Sequence, residues 1–341
     1  MALNLHMGNT PVTVSERAEL FNSIIQVIVF EMALGNSAPW DTHFPAAITL
    51  FEDIMAASAA RSTYRGQSQS RFASVLLGIE DPMWTNPSPS NHIWSASQTG
   101  FRFCAGLLIF IDIIASTSLG KAPQLLRYHS DVLAKSDDGL PAVGEAEIRL
   151  SGIFGCYNRI AESIAEISSL SSWKSALGSD LQDTQGSHRF HNVTLALENS
   201  LHDIQQNLAA RATSSESAVP ALIWGFAADI YRVIAAEGWQ LANPSIRANV
   251  AQIMNLLDSV PSNQLRTMAW PICIAGCFAE KHEESFFSAL FLRSNRAESF
   301  GALRDAQGLV EKAWRSRDEL CERSFDFASG SATLGPRTLL V

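Results

Sequence analysis

Apolar side chains recur along this chain at intervals of three and four residues, which is the spacing of one face of an α-helix. The first such segment begins at Thr13, which can form a capping box with Glu16. Its apolar stripe includes Leu20, Ile24, Val27 and Ile28. No segment shows a convincing strand pattern of alternating apolar and polar residues. The pattern therefore predicts an all-α protein.

Helices are predicted along most of the chain, with boundaries set by glycine, proline and capping residues. Asn243 followed by Pro244 predicts a helix start, and Pro271 is predicted to kink the helix that contains it. We expect a single large helical array of about ten or more helices around an apolar interior pocket. The predicted helices cover 13–35, a segment from about 45, 71–79, 93–119, 123–133, 145–168, 188–211, 219–236, 244–260, 263–279, 283–293 and 300–320.

The breaks between the predicted helices are too short to separate two domains. Both ends of the chain lack helical periodicity, and chain ends of this kind are commonly mobile. The sequence therefore predicts a flexible N-terminus over 1–12, one all-α domain over 13–325 and a flexible C-terminal tail over 326–341.

The composition fits a large core without attraction for polyanions. Hydrophobic residues make up 47% of the 341 residues, charged residues 17%, and the formal net charge is -9. Such a chain repels phosphate backbones, so we expect no direct nucleic-acid partner. The most apolar stretch, 103–115, is shorter than the roughly 20 residues of a membrane span, and it predicts a buried helix rather than a membrane span.

Cysteine usage and the N-terminal residues bear on the compartment. The five cysteines are odd in number and widely spaced, which indicates reduced thiols. Residues 1–11 lack the charged and apolar regions of a secretory signal. We expect a cytoplasmic protein, with the nucleus as a second location.

The most specific succession of residues lies between Tyr231 and Asp318. It consists of Trp239, Asn243-Pro244, Ile246-Arg247, Leu256-Leu257, Val260-Pro261, Trp270-Pro271, Ile274-Ala275-Gly276-Cys277, Trp314 and Arg317-Asp318. This succession resembles the C-terminal part of the fungal-specific transcription factor domain, the effector region of fungal zinc-cluster regulators, and 115–120 and 167–173 are similar to the middle of that domain. The resemblance implies an all-α array that, in those regulators, senses small molecules and controls a DNA-binding part.

One hallmark of those regulators is missing. Their zinc cluster has Cys-x2-Cys-x6-Cys spacing near the N-terminus, because thiolates must reach one zinc ion tetrahedrally. Residues 1–70 contain no cysteine, and Cys273 and Cys277 supply only two of four zinc ligands, so we expect buried thiols and no metal or cofactor. The sequence predicts a free-standing member of the family that does not bind DNA by itself.

Five residues are candidates for a ligand site. Arg102 and Asp112 bound or interrupt the most apolar helix; each either forms an ion pair or helix-end contact, or faces a cavity. Trp224 and Tyr231 are seven residues apart on one predicted helix face, and Trp270 adjoins the predicted kink. Core packing accounts for each ring alone, while together they predict an apolar pocket with a few polar points.

Three functions remain open at this stage. The favoured prediction is a free-standing binder of a bulky apolar small molecule in fungal secondary metabolism. A cofactor-free cyclase or isomerase of Diels–Alderase type would instead use the pocket to fold a terpene- or polyketide-derived substrate, because such reactions need shape rather than a nucleophile. The third reading is a transcriptional regulator that acts through a DNA-binding partner. Assembly with itself or with another protein stays open.

Overall fold

The computed structural model describes residues 13–33, 40–62, 70–80, 84–85, 92–137, 145–177, 184–212, 218–295, 301–317, 327–328 and 339–341. Within these ranges the chain forms thirteen α-helices, two 3-10 helices at Leu126–Tyr128 and Ser262–Met268, and one antiparallel pair of two-residue strands, β1 Trp84–Thr85 and β2 His92–Ile93. The predicted all-α class is therefore confirmed. The helices are α1 Val14–Ala33, α2 Trp40–Ser62, α3 Arg71–Ile79, α4 Ala96–Leu119, α5 His129–Val132, α6 Ser151–Phe154, α7 Asn158–Leu177, α8 Thr184–Ala212, α9 Ala218–Glu237, α10 Pro244–Ser259, α11 Ala269–Cys277, α12 Glu284–Asn295 and α13 Ala302–Arg315.

Two apolar helices, α4 and α9, organise the array. On α4 every residue from Cys104 to Ser118 is buried, and α9 packs against α7, α8, α10 and α11. Both helices are long and apolar enough to cross a membrane by composition alone, but 83% and 78% of their most apolar windows are buried inside the protein. A helix that is apolar all round needs neighbours on every side, and here other helices provide them.

Helices α1, α2 and α3 pack against α4, and α7 packs against it as well. Ser95 caps α4 and forms a capping box with Gln98. The Gln98 amide also donates hydrogen bonds to the carbonyls of Leu76 and Glu80, at 2.9 and 2.6 Å, which ties the start of α4 to the end of α3. The capping box of Thr13 with Glu16 and the Asn243 cap of α10 are both present as predicted.

Two predicted helices are divided in the structure. The segment 145–168 forms α6 and α7 instead, because Gly155 adopts a φ of +69° and ends α6. A Cβ at that position would lie 2.8 Å from Pro220, so glycine is required there. The predicted helix 263–279 forms the 3-10 helix Ser262–Met268 followed by α11. The predicted kink at Pro271 is wrong, because Pro271 lies in the first turn of α11, where no backbone N–H is needed.

Other boundaries differ by a few residues. The second helix begins at Trp40 rather than near Pro45, since Trp40 and Phe44 are buried with their ring centroids 5.6 Å apart. The segment 123–133 forms a 3-10 turn and the short α5 rather than one helix. The predicted end of the first helix at Gly35 lies outside the described residues.

The start of α13 and residues near the C-terminus contact earlier parts of the fold. Gly301, the N-cap of α13, has a φ of +70°, and a Cβ there would overlap the carbonyl oxygen of Met32 at the end of α1. Within the predicted tail, Phe327, Leu339 and Leu340 are buried, and the Phe327 ring lies 6.0 Å from that of Tyr231. The domain boundaries at 13 and 325 stay a prediction.

Close packing of α11 against α13 depends on Gly276. A Cβ at Gly276 would lie 2.9 and 3.1 Å from the two methyl carbons of Val310. We expect Gly276→Ala to lower the free energy of unfolding by about 1–3 kcal/mol, measured by urea denaturation, because the core must shift to admit the methyl group. Gly308→Ala is the matched control: its Cβ meets no atom within 4 Å, and the change should stabilise α13 by up to about 1 kcal/mol. Equal effects of the two substitutions would contradict this packing.

Candidate functional site

The three aromatic candidates from the sequence meet at the junction of α9 and α11. The Trp224 and Trp270 rings stack with centroids 5.4 Å apart and an interplanar angle of 7°. Tyr231 meets Trp270 edge-on at 5.9 Å. The Trp270 Nε1 donates to the Thr117 hydroxyl of α4 at 3.0 Å, so the cluster also joins these helices to α4.

This aromatic cluster (Trp224, Tyr231 and Trp270) is solidly buried. The three side chains are 1%, 3% and 0% exposed, and no surface groove described below is lined by any of them. The Tyr231 hydroxyl lies 3.1 Å from the Ser168 hydroxyl, whereas the Trp224 Nε1 has no hydrogen-bond partner among the described residues. Ring-on-ring packing of this kind stabilises a core. Ligand binding by these residues stays a prediction.

Arg102 fixes a loop to α4. Its Nε donates to the Ala146 carbonyl at 2.9 Å, and its Nη2 donates to the Glu147 carbonyl at 3.1 Å. Burial lowers the pKa of Arg102, while the carboxylates of Glu145 and Glu147 raise it. The side chain is therefore committed to the backbone that leads to α6.

Asp112 holds a second loop. Its two carboxylate oxygens accept hydrogen bonds from the backbone N–H groups of Gln124 and Leu125, at 3.1 and 2.7 Å. Burial raises the pKa of Asp112 to about 6, against the lowering effect of these two donors. Both polar candidates thus bond to loop backbone, and the structure does not bring them together with the aromatic cluster.

His129 is a buried polar residue that the sequence did not single out. It is 4% exposed at the start of α5, and neither ring nitrogen has a hydrogen-bond partner among the described residues. Burial lowers its pKa to about 4. The imidazole is therefore neutral at pH 7 in the folded protein.

The most apolar groove lies between α1 and α4, with a volume of about 470 Å³. Phe30 and Phe103 project from its two sides and are 64% and 50% exposed. Sequence reasoning missed it, because apolar residues on both helices were assigned to the core. The available signal was the nearly continuous apolar run at 24–30, which is too wide for one buried face. We call it the α1/α4 groove; its lining is Asn22, Ile25, Gln26, Val29, Phe30, Ala33, Gly100, Phe103, Cys104 and Leu107.

Three further grooves are more polar. One of about 450 Å³ lies beside the start of α7, where the Asp137 carboxylate accepts hydrogen bonds from the Asn158 and Arg159 N–H groups. Two others, of about 610 and 510 Å³, share Lys281 and Arg317 near the end of α13. Arg317 pairs there with Glu284 at 2.8 Å. Basic and acidic groups are mixed in each, so none is a concentrated anion site.

Among the residues that the structure describes, no group of three or more His, Cys, Asp or Glu side chains is placed to hold a metal ion. Cys273 and Cys277 are buried, at 0% and 3% exposure. A hydrogen bond with the neighbouring thiol of Cys277, together with burial, raises the pKa of Cys273, so this thiol is protonated and unreactive at neutral pH.

A family comparison identifies the chain's relationships. The model of the fungal specific transcription factor domain matches residues 2–331, which is nearly the whole sequence. The chain belongs to this family. The resemblance expected from the region between Tyr231 and Asp318 is therefore confirmed, and no zinc-cluster domain is matched in the chain. No solved structure matches it.

Curated relatives are regulators by name. The chain is 29% identical to the transcription factor dibT of Pestalotiopsis microspora, over 96% of the chain and 54% of that protein. It is 23% identical to the pestheic acid cluster transcriptional regulator 3 of Pestalotiopsis fici, over 86% and 52%. It is 24% identical to the trichothecene biosynthesis transcription regulator TRI10 of Trichoderma arundinaceum, over 94% and 72%. The chain thus spans about half the length of the first two relatives.

These relationships correct the favoured functional prediction. A free-standing small-molecule binder was expected, and this is wrong: the relatives are named as transcription factors and cluster regulators. Neither the family match nor the relatives support the cyclase alternative. The third reading, a transcriptional regulator, agrees with both. The expectation of no direct nucleic-acid partner stays a prediction, because the relatives are transcription regulators by name.

The buried carboxylate of Asp112 gives a test of its environment. Its folded-state pKa of about 6 lies above its ordinary value of 3.8, so its contribution to stability is present below pH 3.8 and is lost as pH rises towards 6. The difference in unfolding free energy between Asp112→Asn and the wild type should rise between about pH 4 and 6, because only the wild type loses this contribution. The rise should be at most about 1.4 kcal/mol per pH unit. Thermal and urea unfolding across this range measure it. The exposed Asp53→Asn serves as control, and a flat difference for Asp112→Asn would refute the assignment.

His129 should produce the opposite trend. Its folded-state pKa of about 4 lies below its ordinary 6.5, so its contribution is present above pH 6.5 and is lost as pH falls towards 4. We expect His129→Leu to remove this acid-sensitive part, since the imidazole hydrogen bonds to no described residue. The unfolding free energy of the variant relative to wild type should rise as pH falls from about 6.5 to 4. His282→Gln, at a side chain 75% exposed, is the control, and equal pH profiles for both variants would contradict the burial of His129.

Proposed function

We propose that this chain is the effector part of a transcriptional regulator that controls a fungal secondary-metabolite gene cluster. Residues 13–325 form its single domain, and DNA contact comes from chain outside them or from a partner protein. The observation that carries the proposal is the family match over residues 2–331, together with relatives named as regulators of the pestheic acid cluster and of trichothecene biosynthesis. It acts in the nucleus, where its relatives' named role is performed.

Charge supports the division of labour between this domain and a DNA-binding part. The formal net charge is -9, and binding to a phosphate backbone requires the release of counterions by clustered cations. Several described arginines are already paired with carboxylates. Arg232 pairs with Asp229 at 2.7 Å and Arg247 with Glu283 at 3.0 Å, and both arginines are largely buried. These cations stabilise the fold and are not available to DNA.

The architecture supports an effector rather than an enzyme. The residues predicted to line a ligand pocket either pack on one another or hold loop backbone. What the described surface offers instead is the apolar α1/α4 groove. An exposed apolar patch on a folded domain is typical of a protein contact, and protein contacts are how an effector domain acts on transcription.

Tethering the chain to DNA tests the proposed function. The full 341-residue chain is fused to an unrelated DNA-binding domain and expressed in a filamentous fungus with a reporter gene under the matching operator. We expect a severalfold change in reporter transcript relative to the DNA-binding domain alone, because the effector is then delivered without its own DNA contact. Quantitative transcript measurement is the readout.

The control is the same chain without the fused DNA-binding domain. It should leave the reporter unchanged, because a chain of net charge -9 does not reach the operator by itself. A folded, nuclear fusion that leaves the reporter at the level of the DNA-binding domain alone would overturn the proposal.

A further inference from the structure

The α1/α4 groove is an apolar surface without a cover among the described residues. Phe30 on α1 is 64% exposed and Phe103 on α4 is 50% exposed, and Val29 adds a third exposed side chain at 37%. The groove is lined along its length by residues of these two helices alone. Its occupant must therefore fit the valley between two neighbouring helices.

The spacing of the lining residues indicates that the occupant is helical. On α1 the lining includes positions 22, 26, 29 and 33, with steps of four, three and four residues. On α4 it includes positions 100, 103 and 107, with steps of three and four. This is the heptad-like spacing by which one helix seats its side chains between those of another. Two such seams side by side are half of a four-helix bundle.

We propose that this face is a homodimer interface, in which α1 and α4 of one protomer pack against α1 and α4 of a second copy. A two-fold axis through the groove makes the interface isologous, so that the same residues of both protomers form it. The resulting four-helix bundle covers Phe30 and Phe103 of both protomers.

The charge distribution favours a second copy over a different partner. In an isologous interface the residues near the two-fold axis lie close to their own copies, so charged side chains at its centre repel each other. None of the ten lining residues is Asp, Glu, Lys, Arg or His. Burial raises the pKa of Cys104 to about 11, so this thiol is neutral as well. The lining carries no charge although the chain has a net charge of -9, so two copies can pack there without repulsion between their linings. A basic partner helix would form no ion pairs with this lining, because it contains no acidic residue.

Gln26 provides a polar group for such an interface, because it lies on the groove lining and is exposed. Asn22 lies one turn before it, but its Oδ1 is buried within the protomer, without a hydrogen-bond partner among the described residues. An amide in a helical seam fixes the register of the packed helices, since an unpaired amide is costly. A second copy brings its own Gln26 to the same seam.

The available area is of the right order. The 20 residues of α1 span about 30 Å, and two helices side by side are about 20 Å wide, which gives a face of roughly 600 Å². A standard stable interface buries about 800 Å² on each partner. The α1/α4 face is therefore slightly smaller than a standard interface, which fits a dimer of moderate affinity.

Sedimentation velocity of the full chain tests the interface. We expect a concentration-dependent monomer–dimer equilibrium over roughly 1–100 µM, the range of moderate affinity. Phe30→Glu should raise the dissociation constant by at least about 100-fold, because it brings like charges together in the interface. Phe103→Glu, on the other helix, should do the same. Both positions are exposed in the monomer, and circular dichroism checks that both variants keep the fold.

The matched control is Leu292→Glu, an equally exposed apolar position on α12, at 66%, which should leave the equilibrium unchanged. A wild-type chain that stays monomeric at the highest concentration would overturn the proposal, even if another protein's helix binds the groove. A dimer that survives both glutamate substitutions, or that Leu292→Glu weakens equally, would also overturn it. A monomeric chain that still changes the tethered reporter would reject the dimer and leave the proposed function intact.

Discussion

The fold depends on covering two helices that have almost no polar side. Every residue of α4 from Cys104 to Ser118 is buried, and α9 is buried at fourteen positions that face several directions. Such helices are stable in water only when other helices surround them, since the burial of apolar area is the main favourable term in folding. The aromatic cluster lies where the two meet: Trp270 of α11 stacks on Trp224 of α9 and donates a hydrogen bond to Thr117 of α4.

This constraint explains what the polar residues near the core do. A buried carboxylate or guanidinium needs hydrogen bonds, and the nearest available groups are the loop backbones that pass over the ends of the helices. Asp112 therefore binds the N–H groups of Gln124 and Leu125, and Arg102 binds the carbonyls of Ala146 and Glu147. Residues that look like ligand contacts in the sequence are, in the structure, the means by which loops are fixed to α4.

The sequence was sufficient for whatever depends on local pattern. The Thr13 and Asn243 caps are correct, and the seven-residue spacing of Trp224 and Tyr231 correctly places both on one helix. It was insufficient where the outcome depends on distant residues. Pro271 was expected to kink a helix, because nothing local shows that a 3-10 helix ends at Met268 just before it. The partners of Asp112 and the exposure of Phe30 depend likewise on long-range packing.

Gly301 has a consequence for how the polypeptide reaches this state. It lies against the carbonyl of Met32, so the start of α13 is in contact with the end of α1. A ribosome releases the N-terminal helices long before residue 301, and contacts between such distant parts of a chain are slow to form. The contact between the end of α1 and the start of α13 therefore forms only after residue 301 has left the ribosome. Until then the end of α1 lacks this partner.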